Sequence, residues 1–430
     1  MIEDVSEPSM LGRPNPSQAA SHARSPLALL HRISRPSTTL ILVSIVTLPL
    51  FYLAWRSYEV DFRAFYVAST AIAHHLDPYV DNHALGPQFA DPANQSGLSR
   101  WLYPPAGLFF VAPLSHLSYT TARLLFDAVS LASLVWVLVS LSAHFGVRDR
   151  WSILAYLSIP VVACVERGQV DLLLLFCLVA SYFGGRRLWA GIPLGVAVSL
   201  KIFPAALVLW LMLQRRFREA ATAILCVLAI GLLSAWRFGI TSYLECFQSL
   251  TAAVPHGIRD GPVDLIHRFG IPNIDGRWFS ISQGFVGSYN NPLVLLDNWG
   301  IAAGVALVVL AAVFLHYRRV APEVGFFTMV MVAQLMNTRL WSMGLVMYLP
   351  ICLIAISRVR STWMSLALLI PLYLPSQVRV LGVSPRFVLA ILLIGCMIWR
   401  GLGRERSELA GDGEQTLQRE IAHPGIATAS

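Results

Sequence analysis

The sequence predicts an all-α protein that crosses a membrane many times, and both composition and pattern support this prediction. The chain has 430 residues, of which 56% are hydrophobic and only 13% are charged, and its mean hydropathy is +0.62. An ordinary soluble protein does not cover its surface with so few charged residues. The apolar runs are continuous rather than alternating, which favours helices over a β-barrel.

Apolar blocks recur along nearly the whole chain. They comprise residues 38–55, 104–119, 121–144, 151–165, 170–183, 188–213, 219–239, 292–315, 322–336, 340–357, 362–375 and 386–400. Several are shorter than the ~20 residues that cross a hydrocarbon core of about 30 Å. We therefore expect tilted, kinked or partly re-entrant helices among them.

The formal net charge of +8 is carried mostly by arginines at the ends of these blocks. Basic clusters lie at residues 214–218, 316–319, 358–360 and 400–406. Basic residues beside membrane spans mark the cytoplasmic side of a membrane. The charge therefore indicates orientation in a lipid bilayer, and we expect no nucleic-acid partner.

The chain divides into a membrane domain and two polar tails. Residues 1–36 and 403–430 lack apolar periodicity, which predicts disordered cytoplasmic tails. Residues 37–402 are expected to form one domain of about 10–12 transmembrane helices. Two long polar segments, 56–103 and 240–291, interrupt it, and the basic clusters place both on the outer side.

The apolar blocks in the first half of the chain can be assigned to membrane crossings in two ways. In one, block 188–213 is a single kinked helix, twelve crossings result, and Arg186 and Arg187 lie outside. In the other, these arginines lie inside, block 188–213 is a tight hairpin, and one earlier block does not cross fully. We favour the first grouping.

Asp61 follows the first apolar span by only six residues and opens the outer segment 56–103. An amphipathic helix pattern follows over residues 62–76, with aromatic residues spaced to lie against the membrane interface. This helix, which includes Arg63 and Tyr66, is expected to hold a lipid-linked donor. Asp61 has two compatible roles: it caps the helix, or it is the carboxylate base of a membrane-surface sugar transferase.

Lys201 is the single lysine of the chain and lies between two apolar halves of block 188–213. An ionisable group at such depth costs a few kcal/mol unless it is paired or hydrated, which makes it a candidate functional residue. Its ammonium group would hold a lipid phosphate. The alternative is a lysine that snorkels to an interface where the helix breaks before Pro204.

A short polar stretch with Arg167, Gln169 and Asp171 joins two other blocks. It either lines a water-filled cavity or forms a turn with a local ion pair. Tyr103 precedes two prolines that suit the start of a membrane helix over 104–119.

The late outer turn contains Arg339 and Trp341. Arg339 is either available to a phosphate leaving group or an ordinary outer-surface arginine. Histidines and cysteines lack the spacing of a metal site, and no glycine-rich phosphate loop is present. We therefore expect neither a metal nor another cofactor.

Several of these residues belong to short motifs whose order and spacing along the chain can be compared with those of a known family. The motifs are Asp61–Phe62, Asp77–Pro78–Tyr79, Tyr103–Pro104–Pro105, Ala112–Pro113–Leu114, Gly168–Gln169–Val170–Asp171, and 191–204 around Lys201 followed by Arg215–Arg216. Over roughly residues 38–360, the chain resembles glycosyltransferase family 87. The resemblance implies a GT-C-like membrane fold and similarity to polyprenol-phosphate-mannose-dependent α-mannosyltransferases.

The resemblance also implies a polyprenyl-phosphate sugar donor, a glycolipid or glycan acceptor, and an extracytoplasmic active site in a multi-pass cell-membrane protein. Asp61 matches the family aspartate implied to deprotonate the acceptor hydroxyl. The substrate-binding candidates are Arg63, Tyr66, Tyr103, Arg167, Gln169, Asp171, Lys201, Arg339 and Trp341. A transporter or flippase of a lipid-linked or amphiphilic solute is the alternative, because buried polar groups also line transport paths.

One stretch departs from the family pattern. Many members have a serine–tryptophan pair followed closely by histidine, whereas residues 339–344 here contain Trp341 and Ser342 but no histidine. If that histidine assists catalysis elsewhere, this chain uses another group such as Arg339, acts on another acceptor, or has lost activity.

Overall fold

A computed structural model describes residues 45, 47–52, 60–79, 101–248, 288–290, 300–336, 339–359, 361–374 and 385–399. These residues are almost entirely helical, in agreement with the all-α prediction. The predicted tails 1–36 and 403–430 lie outside the described residues, as do most of the first apolar block and much of both outer segments.

The first half of the described chain forms nine labelled helices. They are α1 (Val60–Ala73), α2 (Leu108–Val111), α3 (Tyr119–Phe145), α4 (Asp149–Tyr156), α5 (Ile159–Arg167), α6 (Asp171–Gly184), α7 (Gly191–Leu200), α8 (Ala206–Leu213) and α9 (Phe217–Phe238). Short 3-10 turns flank several of them, at Pro105–Gly107, Ala112–His116, Leu188–Ala190 and Phe203–Ala205.

The second half adds five labelled helices and a short strand pair. The helices are α10 (Gly300–Tyr317), α11 (Pro322–Ala333), α12 (Leu349–Arg358), α13 (Thr362–Tyr373) and α14 (Pro385–Trp399). Strands β1 (Ser288–Asn290) and β2 (Arg339–Trp341) pair antiparallel, with Tyr289 opposite Leu340. The end of the second outer segment therefore meets the late turn.

Two helices, α3 and α9, are long and apolar enough to cross a membrane by length and composition, and most other helices are shorter but apolar. Helix α3 is capped at its start by Ser118, whose hydroxyl accepts a hydrogen bond from the backbone N–H of Thr121, and at its end by Gly146 in the left-handed conformation. The centre of the bundle is α11 and α12, whose residues 324–333 and 349–356 are all buried.

Several arginines lie at one end of the helix bundle. We call this end the basic end, and it comprises residues 185–187, 214–219, 316–323 and 358. The contacts that join these segments are Arg216 donating to the carbonyl of Gly185, Gln214 3.4 Å from His316, and the Arg358–Glu323 ion pair. Helix α6 runs from Asp171 to Gly184 at the basic end. The opposite end, where Asp171 lies, is here the site end.

Block 188–213 is a hairpin, so the expectation of one kinked helix is wrong. Helix α7 runs from the basic end to Lys201, and α8 returns, because Arg216 after α8 contacts Gly185 before α7. The hairpin turns at Lys201, whose φ of −142° and ψ of 140° are extended, and Pro204 begins the next helical segment. Arg187 therefore lies at the same end as Arg215.

Block 104–119 also differs from its prediction. Instead of a membrane helix it forms the 3-10 turn Pro105–Gly107, the single turn α2 and the 3-10 turn Ala112–His116. Pro104, Pro105 and Pro113 limit regular helix here, because proline lacks a backbone donor. Block 104–119 therefore contains no continuous helix of membrane-spanning length.

Helix α1 packs inside the protein rather than along the membrane interface. Phe62 and Phe65 are almost fully buried, and α1 contacts the segment 105–116. Aromatic rings face Phe65 from Trp101 and Tyr103. The aromatic spacing seen in the sequence therefore serves internal packing, which fixes α1 as a rigid support for its first turn.

Candidate functional site

Asp61 lies in the first turn of α1, where a carboxylate interacts favourably with the helix dipole. Asp61 is only 7% exposed to solvent. A buried carboxylate requires a partner, because an unpaired charge in an apolar interior costs several kcal/mol.

Arg167 is that partner, although 106 residues separate the two in the sequence. Its Nε lies 2.7 Å from Oδ2 of Asp61 and its Nη2 lies 3.3 Å from Oδ1, so one guanidinium contacts both carboxylate oxygens. Arg167 ends α5, and Gly168 follows with a φ of 66°, a conformation that glycine adopts without strain. The sharp turn holds Arg167 at the site end.

A second ion pair lies on the other side of the same turn. Asp171 begins α6, and its Oδ1 lies 2.6 Å from Nζ of Lys201 at the turn of the 188–213 hairpin. The Asp171 side chain is 4% exposed and that of Lys201 is 24% exposed. The stretch 166–171 is thus a turn, and the ion pairs found for Arg167 and Asp171 join it to distant elements rather than being local.

Tyr103 connects the two ion pairs. Its hydroxyl donates to Oε1 of Gln169 over 2.9 Å, and Nζ of Lys201 lies 5.6 Å from the centre of its ring. Burial raises the pKa of Tyr103 above its ordinary value, so the hydroxyl stays protonated and acts as a donor. We call Asp61, Arg167, Gln169, Asp171, Lys201 and Tyr103 the polar cluster.

The polar cluster contains two cations and two anions, so its formal charge is zero. All six members are candidates in the sequence, and the structure brings them together.

Tyr79 is not among the candidates from the sequence, although its hydroxyl donates to the carbonyl of Tyr103 over 2.9 Å. The Asp77–Pro78–Tyr79 motif signals a turn, and Asp77 does accept the N–H of Tyr79. Nothing in that motif points to Tyr103.

Arg63 and Tyr66 follow Asp61 on α1 and contact the chain around the start of α3. The guanidinium of Arg63 lies 5.5 Å from the centre of the Tyr119 ring, and the hydroxyl of Tyr66 donates to the carbonyl of Leu117. Both contacts tie α1 to the chain that enters α3. A substrate-binding role for Arg63 and Tyr66 stays a prediction.

Arg339 and Trp341 lie in β2, whose backbone alone is described. The chain that follows β2 packs against α5, where the thiol of Cys164 lies 3.7 Å from the carbonyl oxygen of Met343. Cys164 precedes Arg167 by less than one helical turn. Strand β2 thus leads into a segment beside the polar cluster, and the roles of Arg339 and Trp341 stay predictions.

The described part of the chain holds no group of three or more histidine, cysteine, aspartate or glutamate residues placed to bind a metal ion. Two cations beside a buried carboxylate suit an anionic group and a proton transfer, which are the elements of acid–base chemistry on a phosphate ester.

Comparison with known proteins identifies relatives with a named activity. The chain is 28% identical over 191 residues to a polyprenol-phosphate-mannose-dependent alpha-(1-2)-phosphatidylinositol mannoside mannosyltransferase of Mycolicibacterium smegmatis, covering 38% of this chain and 43% of that protein. It is 24% identical over 344 residues to the protein of the same name from Mycobacterium tuberculosis, covering 70% of this chain and 72% of that one.

The first of these alignments therefore spans less than half of its relative. No solved structure matches the chain. The model of glycosyltransferase family 87 matches residues 101–343, which is more than half of the chain and includes five of the six members of the polar cluster. The chain belongs to glycosyltransferase family 87.

Proposed function

We propose that the protein transfers a hexose, specifically mannose, from a polyprenyl phosphate to a hydroxyl group of a glycolipid or glycan. The observation that carries this proposal is the ion pair of a buried carboxylate, Asp61, with Arg167, beside a second ion pair that holds Lys201 in the same cluster. Family membership and the printed names of both relatives support the same reaction class.

In the proposed reaction, Asp61 is the base. The acceptor oxygen attacks the anomeric carbon of the sugar while its proton passes to the Asp61 carboxylate. A new glycosidic bond forms, and the bond between the anomeric carbon and the phosphate oxygen breaks. The electron pair leaves with the polyprenyl phosphate, and attack from the opposite face inverts the anomeric configuration.

Lys201 and Arg167 would stabilise the departing phosphate. The donor is a phosphodiester with one negative charge, and the leaving group is a monoester that gains a second. Two cations offset that charge as it develops. A single phosphate requires less neutralisation than a nucleotide diphosphate, so side chains alone are sufficient in this mechanism.

The basic end is proposed to face the cytoplasm and the site end the outer side of the membrane. Arg187, Arg215 and Arg358 all lie at the basic end, which is the arrangement of a positive-inside protein. The lipid-linked donor would then approach the polar cluster from the outer leaflet. Segments 56–103 and 240–291 would contribute the acceptor surface.

A transfer assay tests this reaction class. Purified protein in detergent is mixed with radiolabelled polyprenyl-phosphate mannose and with phosphatidylinositol mannosides, the acceptors suggested by the relatives' names. We expect labelled glycolipid and free polyprenyl phosphate in equal amounts. Because detergent removes the membrane barrier, a transporter or flippase would leave the donor intact with every acceptor tried, which would reject the proposal.

A further inference from the structure

Resting on the proposed function, we propose that the guanidinium of Arg167 exchanges partners during the reaction, from the Asp61 carboxylate to the donor phosphate. Arg167 competes for the base until the donor phosphate draws it away. The inference concerns how the polar cluster changes partners during the reaction.

The first observation is that an ion pair engages both oxygens of the base. Arg167 contacts both oxygens of Asp61, at 2.7 Å and 3.3 Å, in a two-point arrangement. A carboxylate held in this way binds the guanidinium strongly and directionally. Each contact occupies one lone pair of a carboxylate oxygen, so the guanidinium competes with an acceptor hydroxyl for the base.

The second observation is the charge of the cluster. Asp61 and Asp171 already neutralise Arg167 and Lys201, so an arriving phosphate finds no net positive charge. A phosphate gains an ion pair here only when a cation leaves its carboxylate. Such a cluster binds an anionic donor through partner exchange.

Arg167 is better suited to this exchange than Lys201. Asp171 is the more deeply buried carboxylate, with a side chain 4% exposed against 10% for Asp61. Leaving Asp171 without its cation is therefore costly. Releasing Asp61 instead produces the free carboxylate that the reaction needs.

The local structure also favours movement of the arginine. Asp61 has a short side chain on α1, which is packed among Phe62, Phe65 and their neighbours. Arg167 ends α5, and its long side chain is 13% exposed. Rotation of that side chain reorients the guanidinium without moving a helix.

Partner exchange makes a distinctive prediction for donor affinity. In the Asp61→Asn variant, Arg167 loses its two-point ion pair with Asp61, so the donor should bind more tightly, by about tenfold, which equals about 1.4 kcal/mol. In Arg167→Gln the donor should bind more weakly by a similar factor. The Kd of short-chain polyprenyl-phosphate mannose is measured by isothermal titration calorimetry in detergent, without acceptor.

A double variant separates partner exchange from simple charge repulsion. If Asp61 only repels the phosphate, Asp61→Asn tightens binding equally in the Arg167→Gln background. If Arg167 is the shared partner, Asp61→Asn has no effect on Kd in that background. The Asp149→Asn variant, altered at the first turn of α4, serves as the control and should retain the wild-type Kd.

Thermal unfolding and gel filtration in detergent establish whether each variant is folded. If Asp61→Asn does not fold, the donor Kd of Arg167→Gln supplies an independent test. An unchanged or weaker donor Kd in folded Asp61→Asn would overturn the inference, as would an unchanged Kd in Arg167→Gln. Loss of transfer in Asp61→Asn with unchanged donor affinity would leave the proposed function standing and reject only partner exchange.

Discussion

The ammonium group of Lys201 lies 2.6 Å from Oδ1 of Asp171, and this ion pair holds Lys201 at the turn of the 188–213 hairpin. A lone lysine among 32 basic residues lies between apolar halves, which marked it as a buried charge before its partner was known. The partner, Asp171, was visible as a candidate because it also interrupts apolar sequence. Their pairing across 30 residues was not predictable, because it depends on how the 188–213 hairpin folds.

Two substitutions separate the structural and functional roles of Lys201. Lys201→Met leaves Asp171 buried without its cation, which should lower stability by several kcal/mol and abolish transfer. Adding Asp171→Leu removes the uncompensated charge and should restore the thermal unfolding temperature. Transfer should stay absent in the double variant, because no cation then faces the phosphate at this position.

Unfolding temperature and transfer rate are measured on the same preparations. Lys201→Arg is the matched control: it keeps the positive charge and should keep a reduced but measurable rate. Recovery of full transfer in the Lys201→Met, Asp171→Leu double variant would reduce Lys201 to a structural role.

Residue patterns were less informative for α1. The sequence suggested aromatic contacts with the membrane interface, whereas Phe62 and Phe65 pack inside against rings from Tyr119, Phe126 and Trp101. Hydrophobic periodicity reports that a face is apolar, but a membrane and a protein interior satisfy it equally. Only the tertiary partners distinguish the two.

At the scale of elements, the hairpin depends on close approach of α7 and α9. A Cβ added at Gly195 would lie 2.5 Å from Cβ of Cys226 and 2.8 Å from the carbonyl oxygen of Ala223. The second contact is with backbone, which cannot rotate away. Gly195 thus allows the packing that places Lys201 at the site end.

Gly195→Ala should therefore destabilise the protein by about 1–3 kcal/mol through overpacking. Gly395→Ala in α14 is the matched control, because an added Cβ there meets nothing within 4 Å. The control should be neutral or slightly stabilising, since alanine is the better helix former by about 1 kcal/mol. Thermal unfolding in detergent measures both, and equal unfolding temperatures for the two variants would contradict the close contact.

Two segments show why helix boundaries were hard to predict from the sequence: block 188–213 and block 104–119. The break at Lys201 was visible from Pro204, but a proline equally permits a kinked helix or a hairpin. Arg186 and Arg187 favour the hairpin, because the positive-inside rule places them on the same side as Arg215 and Arg216. Block 104–119 was apolar enough to predict a helix, and its prolines divide it into short turns instead.

At the scale of the whole molecule, the account requires the two ends of the bundle to face opposite sides of the membrane. Arg187→Cys introduces a thiol at the basic end, and Leu76→Cys introduces one in the exposed turn after α1. A membrane-impermeant maleimide applied to intact cells should label Leu76→Cys alone. After permeabilisation it should label both variants.

The unmodified chain gives the background from its six free cysteines, none of which forms a disulfide. Labelling of Arg187→Cys in intact cells, with Leu76→Cys protected, would reverse the proposed orientation. Labelling of both in intact cells would place both ends outside and would contradict the bundle topology.

The proposed function requires the bundle to hold the Asp61 carboxylate at its outer end as the base for sugar transfer. Its most direct measurement compares mannosyl transfer by wild type, Asp61→Asn and Asp149→Asn under saturating donor and acceptor. We expect Asp61→Asn to be at least about 100-fold slower, the lower range for loss of a general base, while remaining folded. Asp149→Asn should match wild type, and an Asp61→Asn rate equal to wild type would contradict the account.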